Sequence, residues 1–202
     1  AWVSEQDYGE DRVPAVIVND VRKAMSVIAP AFFDIPEGAL KITGITGTKG
    51  KTTAAYFLKK ILDTYNLSAG RKEAAFLTSI ETYDGTRSVP SANTTPEIFE
   101  GYGYLKNAYD SGIQDVVMEV SSQGLKYGRV GGMMMFDTAV FLNISPDHIS
   151  PVEHPDFDDY FSSKLKIFSQ CRNAVVNMDG EFSEEAVIAA SAAEAVYTFS
   201  SL

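Results

Sequence analysis

The chain has 202 residues, 45% of them hydrophobic, with 27 acidic and 17 basic side chains and a formal net charge of -10. That length suits one domain, or one domain with a fragment of another, and the apolar content is enough for a sizeable core. The acidic balance excludes non-specific binding to nucleic acid or an anionic membrane surface, and no stretch approaches the ~20 apolar residues that span a bilayer.

In chain order, Val13 to Val18 reads as a short strand, and Asn19-Asp20 caps a helix reaching about Ile28. Pro30 to Gly38 is expected to be a linker, because Pro30 and Pro36 break helical hydrogen bonding. A strand around Ile42–Ile45 then leads through a glycine-rich turn into an apolar-periodic helix that includes Ala54 to Leu62. Phe76 to Ile80 and Thr86 to Ser91 flank Tyr83-Asp84-Gly85, the pattern of a hairpin with a tight Asp-Gly turn. Asn93-Thr94-Thr95-Pro96-Glu97 combines capping residues with a proline suited to a first helical turn, and the helix should reach about Ser111. Residues 114–120 and 138–142 read as buried strands, 157–170 as a helix, 173–177 as a strand, 183–190 as a helix and 195–199 as a last strand. The alternation predicts an α/β fold with three layers and a mainly parallel sheet carrying a P-loop-type nucleotide-binding domain.

The residues from Ala1 to Asp7 lack the features of a secretory signal, and the single Cys171 cannot form an internal disulfide, so a cytoplasmic protein is expected. Cys171 itself reads as a small buried hydrophobe. The absence of an initiator methionine suggests an excised piece.

Three places carry chemistry. In Gly44-Ile45-Thr46-Gly47-Thr48-Lys49-Gly50-Lys51-Thr52-Thr53, a strand, a glycine-rich turn and a helix start succeed one another. Glycines let backbone N–H groups face oxyanions, the helix start adds a favourable dipole, Lys51 a charge and Thr52 a hydroxyl for magnesium, so a nucleoside triphosphate is the natural occupant. Ile45 stands where the usual spacing places glycine, so the loop is a variant of that pattern. The second place is Glu119, a carboxylate inside an apolar strand that needs a metal, a cation or several hydrogen bonds. Magnesium bound to ATP would serve, and so would a salt bridge to lysine or arginine. The third is Asn143-Ile144-Ser145-Pro146-Asp147-His148, where His148 follows a strand; a lone histidine is more often structural than a ligand, and His154 has a weaker case than His148.

Taken together, these segments resemble the Mur ligase family, ATP-dependent amide ligases of cell-wall peptide synthesis, and within it the MurE (tripeptide synthetase) type. The resemblance rests on the loop 46–53, Asn93-Thr94-Thr95-Pro96, Met118-Glu119-Val120-Ser121-Ser122 with Arg129-Val130, Phe136-Asp137 to Asp147-His148, and Tyr160 to Lys164 with Ile167-Phe168. It implies ATP and Mg2+ as cofactors, with Gly47, Thr48, Lys49, Gly50, Lys51, Thr52 and Thr53 at the phosphates and Asn177 near the base. Thr52, Glu119, His148 and a carbamylated Lys164 would hold metal, and Lys51, Glu119, His148 and Lys164 would form the catalytic set. Thr94, Thr95, Ser121 and Arg129 match contacts to UDP-N-acetylmuramoyl-dipeptide, which would be joined to an amino acid by a monomeric enzyme.

The chain departs from the family at Lys49, where asparagine is familiar, at Gln123, where histidine often follows the serines, at Tyr127, and at Ser145-Pro146. Residues 1–38 would be a remnant of the N-terminal substrate domain and 39–202 the central ATP-binding domain, without the C-terminal domain and therefore with little turnover alone. Folylpolyglutamate-type or poly-γ-glutamate-type ligases share the same ATP domain, and a nucleotide-binding module without catalysis is a further alternative.

Overall fold

The computed structural model describes residues 1–9, 13–131, 135–147 and 149–201. The first two strands, β1 (Trp2–Ser4) and β2 (Ala15–Ile17), pair in parallel as a separate two-stranded ribbon. Asp20 caps α1 (Val21–Phe33) by accepting from Lys23 N at 2.9 Å, as its position before an apolar-periodic run predicts.

The expected linker from Pro30 is corrected: α1 continues through Pro30 and ends at Asp34, whose left-handed backbone (φ 48°) directs its N–H to Pro30 O. Proline in this last turn removes one backbone hydrogen bond. Aromatic packing offsets the loss, because the Phe33 ring stacks on Tyr102 at 6.3 Å and meets Phe99 at 6.0 Å.

The remaining elements are β3 (Lys41–Thr46), α2 (Lys51–Ser68), β4 (Ala75–Leu77), β5 (Glu81–Tyr83), β6 (Ser88–Pro90), α3 (Ile98–Asp110), β7 (Asp115–Glu119), α4 (Ser122–Lys126), β8 (Phe136–Phe141), α5 (Phe157–Leu165), a 3₁₀ turn (Lys166–Gln170), β9 (Cys171–Asn177), α6 (Ser183–Ala190) and β10 (Ala195–Phe199). They build an eight-stranded sheet in the order β10-β9-β8-β3-β7-β4-β5-β6. The pairs from β10 through β4 are parallel, and β5 and β6 are antiparallel additions.

The central strands are buried on both faces, which explains runs such as Val116-Val117-Met118 without polar alternation. Gly44 lets β3 pass Phe136 of β8, since a Cβ there would lie 2.7 Å from that ring.

Two further expectations change. The single hairpin is a meander, because β4 joins the parallel sheet and β5 then pairs with both β4 and β6. The turn at Asp84 is nevertheless where the Asp-Gly signal places it, with Gly85 at φ 88°. Pro96 precedes α3, which starts at Ile98 after Glu97, and Thr95 turns inward and does not cap that helix.

Candidate functional site

The carboxyl ends of β3, β7 and β8 meet at the sheet's centre, where open α/β sheets take ligands. Here β3 stops at Thr46 and α2 starts at Lys51, leaving the turn Gly47–Gly50 between them. Gly47 (φ 153°) and Gly50 (φ 82°) hold backbone that L side chains rarely adopt, and a Cβ on Gly47 would meet Leu142 Cβ at 3.1 Å. Asn143, just past β8, clamps the turn: its Oδ1 accepts from Thr48 N at 3.1 Å and Lys49 N at 3.0 Å, and its Nδ2 donates to Lys49 O at 3.0 Å. The buried Thr48 hydroxyl meets Tyr160 OH at 3.1 Å and accepts from Ser145 N at 3.0 Å.

Two lysines converge on this turn. Lys51 Nζ donates to Gly47 O at 2.9 Å and Thr48 O at 3.1 Å. Lys164, only 2% exposed, sends its Nζ from α5 to the same Gly47 O at 2.9 Å and lies 4.6 Å above the Tyr160 ring. Burial lowers the Lys51 ammonium from its ordinary range, against the pull of Glu119 and Asp147. For Lys164, burial and then the nearby Lys51 charge push the value down to about 7, with Asp147 opposing.

Glu119, 1% exposed at the end of β7, accepts on Oε1 from Ser79 N at 3.0 Å and Ser79 Oγ at 3.2 Å. Ser79 Oγ also lies 3.1 Å from Thr52 Oγ1, so one line of oxygens joins Thr52, Ser79 and Glu119. Ser79, not a basic side chain, is what holds this carboxylate.

On the other side, Thr95 Oγ1 accepts from Ser121 N at 2.9 Å and donates to Glu119 O at 3.1 Å. Arg129 Nη1 donates to Thr95 O at 3.3 Å and its Nη2 pairs with Glu97 at 2.8 Å. A cleft of about 220 Å³ brings Lys51, Lys164, Thr94, Ser121 and Arg129 together. Thr95 supports its wall from behind.

Lys49 and Thr53 are exposed at the turn and at the start of α2. Asn177 ends β9, where its Nδ2 donates to Leu142 O at 3.0 Å. His148 lies outside the described residues. Sequence reasoning missed Ser79; it singled out the segment from Asn143 to His148 and the family segment from Tyr160 to Lys164 but gave Asn143 and Tyr160 no role of their own.

The donors and oxygens fit magnesium-ATP. The turn's Thr48 and Lys49 N–H groups are taken by Asn143, so the first-turn N–H groups of α2 and the side chains of Lys51 and Lys164 are the donors left for phosphates. One carboxylate with two hydroxyls matches magnesium that keeps phosphate and water among its ligands. No cluster of three or more His, Cys, Asp and Glu side chains suited to a metal occurs among the described residues, so the phosphates would have to complete any such site.

Comparison with known proteins agrees with this geometry. The chain is 45% identical over 181 residues to the UDP-N-acetylmuramoyl-L-alanyl-D-glutamate–L-lysine ligase of Enterococcus faecalis, covering 90% of this chain and 35% of that protein. It is 48% identical over 178 residues to the UDP-N-acetylmuramyl-tripeptide synthetase of Lactococcus lactis, covering 88% and 36%. The chain thus spans about a third of the length of the curated relatives it matches. Its fold superposes on a solved UDP-N-acetylmuramoyl-L-alanyl-D-glutamate–2,6-diaminopimelate ligase with a TM-score of 0.74 at 23% identity, over 98% of this chain and 39% of that one. A Mycobacterium tuberculosis folylpolyglutamate synthase complexed with ADP gives 0.62 at 19% identity, over 89% and 46%. The family model described as the Mur ligase middle domain matches residues 45–201, and the chain belongs to that family.

Proposed function

We propose that the full-length protein is an ATP-dependent ligase that adds L-lysine to UDP-N-acetylmuramoyl-dipeptide in peptidoglycan precursor synthesis. The choice of L-lysine follows the name of the Enterococcus faecalis relative. One observation carries the reading: the half-buried Lys51 and the buried Lys164 share the Gly47 carbonyl on the wall of a cleft that also presents Ser121 and Arg129.

The reaction has two steps. An oxygen of the substrate's terminal carboxylate attacks the γ-phosphorus of ATP, ADP departs, and an acyl phosphate forms. The lysine amine then attacks the acyl carbon, phosphate leaves, and the nitrogen loses a proton to give the amide.

Lys51 neutralises charge on the transferred phosphoryl group, while the turn held by Asn143 aligns it. Thr52 and Glu119 would hold magnesium, which supplies further charge neutralisation when bound. Arg129 and Ser121, which line the cleft, orient the anionic peptide substrate. Lys164 is suited to carbamylation because a lysine titrating near 7 exposes a neutral amine, and that amine adds to the carbon of CO2 with loss of a proton. The product would replace a cation beside the phosphates with an anionic oxygen ligand.

The first test is thermal shift with magnesium-ATP on the wild type and Lys51→Ala. A stabilisation that grows with ligand concentration in the wild type and vanishes in the variant is expected. The decisive assay is ADP release by the full-length protein: no release with the dipeptide nucleotide and L-lysine would sink the proposal.

A further inference from the structure

A chain of hydrogen bonds runs along the cleft wall through Ser122, His154, Asp159 and Lys126. Ser122 opens α4 and lines the cleft beside Ser121 and Arg129. Its Oγ lies 2.9 Å from Nε2 of the fully buried His154, whose Nδ1 meets Asp159 Oδ2 at 2.5 Å. Lys126 Nζ donates to Asp159 Oδ2 at 2.7 Å and to Glu153 O at 3.0 Å, tying α4 to α5. The His154 ring stands edge-on to Tyr160 at 5.1 Å.

Counting protons fixes the direction of these bonds. Lys126, and then His154, hold the Asp159 carboxyl below the usual range, so as a carboxylate it only accepts. Nδ1 of His154 therefore carries a proton. When that is the ring's one proton, Nε2 accepts the only hydroxyl proton of Ser122, which then shows lone pairs alone toward the cleft. Ser121 is the opposite case: its Oγ accepts from Gly124 N at 3.0 Å and takes only a share of the one Thr95 Oγ1 proton (3.2 Å), which also goes to Glu119 O (3.1 Å), so its own proton is left to give. Lys51, Lys164 and Arg129 are donors as well, so a ligand N–H entering the cleft has Ser122 and the side-chain oxygens of Asn93, Thr94 and Gln123 as neutral partners. The cleft's carboxylate, Glu153, already accepts from Gln123 Nε2 at 3.2 Å.

We propose that Ser122 is a specificity contact that accepts a peptide N–H of the acyl-dipeptide substrate, and that His154 is the positioning residue that fixes it in that role. This rests on the function proposed above, which supplies the peptide. A substrate bearing both carboxylates and amide N–H groups is then read by Ser121 and Ser122 with opposite polarity. An isostere lacking the N–H sets two lone pairs against each other and is rejected.

The test measures KM on the full-length protein with the natural dipeptide nucleotide and two ester analogues. One analogue replaces the muramoyl–alanyl N–H by oxygen, the other the alanyl–glutamate N–H. One ester should raise the wild-type KM about tenfold, in line with loss of one hydrogen bond. Ser122→Ala should raise the KM for the amide by a similar factor, leave the KM for ATP unchanged, and no longer distinguish amide from that ester. If the two effects multiply for both esters, Ser122 does not read an N–H and the inference fails. His154→Gln, whose amide oxygen can take the serine proton, should keep the ester discrimination that His154→Leu loses; equal behaviour of the pair would overturn the positioning role. A wild type that turns over none of the three substrates would overturn the ligase reading along with this one.

Discussion

Asp84 and Glu119 are both carboxylates buried beside the same sheet, 0% and 1% exposed, yet their surroundings differ in kind. Asp84 closes the β5–β6 turn. Its Oδ1 accepts from Thr86 N at 2.9 Å, Thr86 Oγ1 at 2.7 Å and Arg87 N at 2.9 Å, and its Oδ2 accepts from Asn107 at 2.7 Å. Desolvation alone would raise its pKa, but these hydrogen bonds prevail and lower it. Both hydrogen bonds to Glu119 fall on one oxygen and come from one residue, Ser79. The first carboxylate is committed to the fold on both oxygens. The second is held by one oxygen, at the strand end where the lysines gather. Burial of a charge is thus no guide to function until its hydrogen bonds are counted atom by atom.

The sharpest break of this comparison is Glu119→Gln. The amide keeps the shape and still accepts from Ser79, so unfolding free energy should change by less than about 1 kcal/mol. Ligase turnover of the full-length protein should fall about a thousandfold, or ~4 kcal/mol of lost charge stabilisation. Turnover within tenfold of the wild type would count Glu119 with Asp84 as a structural group.

Asp84→Ala should do the reverse, costing about 2–3 kcal/mol in urea denaturation by stranding its donors, while the magnesium-ATP thermal shift survives. A loss of nucleotide binding in this variant would erase the distinction.

The smallest effect concerns Lys164. Its value in the fold, about 7, lies below the ordinary 10.5, so between those limits the unfolded chain binds the extra proton and stability rises with pH. Below pH 7 both states carry the proton and the burial penalty is fully felt. Lys164→Met should therefore stabilise the protein by about 1 kcal/mol at pH 6.5, a gain that shrinks toward pH 10. Parallel melting curves for wild type and variant across that range would contradict it.

Much of the site's local half was legible in the chain. The Gly47–Gly50 turn, Lys51, Thr52 and Glu119 announce themselves because each sits at the end of a periodic run, and the turn's glycines have a backbone reason to be there. Thr95, Ser121 and Arg129 came from the family pattern and lie in or behind the same cleft. The non-local half was not legible. Ser79, Asn143, Tyr160 and His154 acquire their roles only when strand ends and helices distant in sequence are brought together, and spacing carries no record of that. The five-residue α4 is too short to show a helical period. Pro30 misled because the Phe33–Tyr102 stacking that offsets it is a tertiary contact. The meander was read as a hairpin because the short break Thr78–Ile80 between β4 and β5 carries no glycine or proline to mark a turn.

The shared acceptor at Gly47 O has a kinetic side. In the free protein both lysines donate to that carbonyl, and Lys51 to Thr48 O as well, so peptide oxygens play the part of an internal anion. Nucleotide arrival is accordingly an exchange and not a simple addition: the lysines must trade peptide oxygens for phosphate oxygens. Part of the attraction is cancelled by the bonds given up, so net affinity should be weaker, and less sensitive to ionic strength, than two free cations would produce. In return the side chains wait already folded against the turn, and the entropy of ordering them falls on the folding of the domain and not on each catalytic cycle.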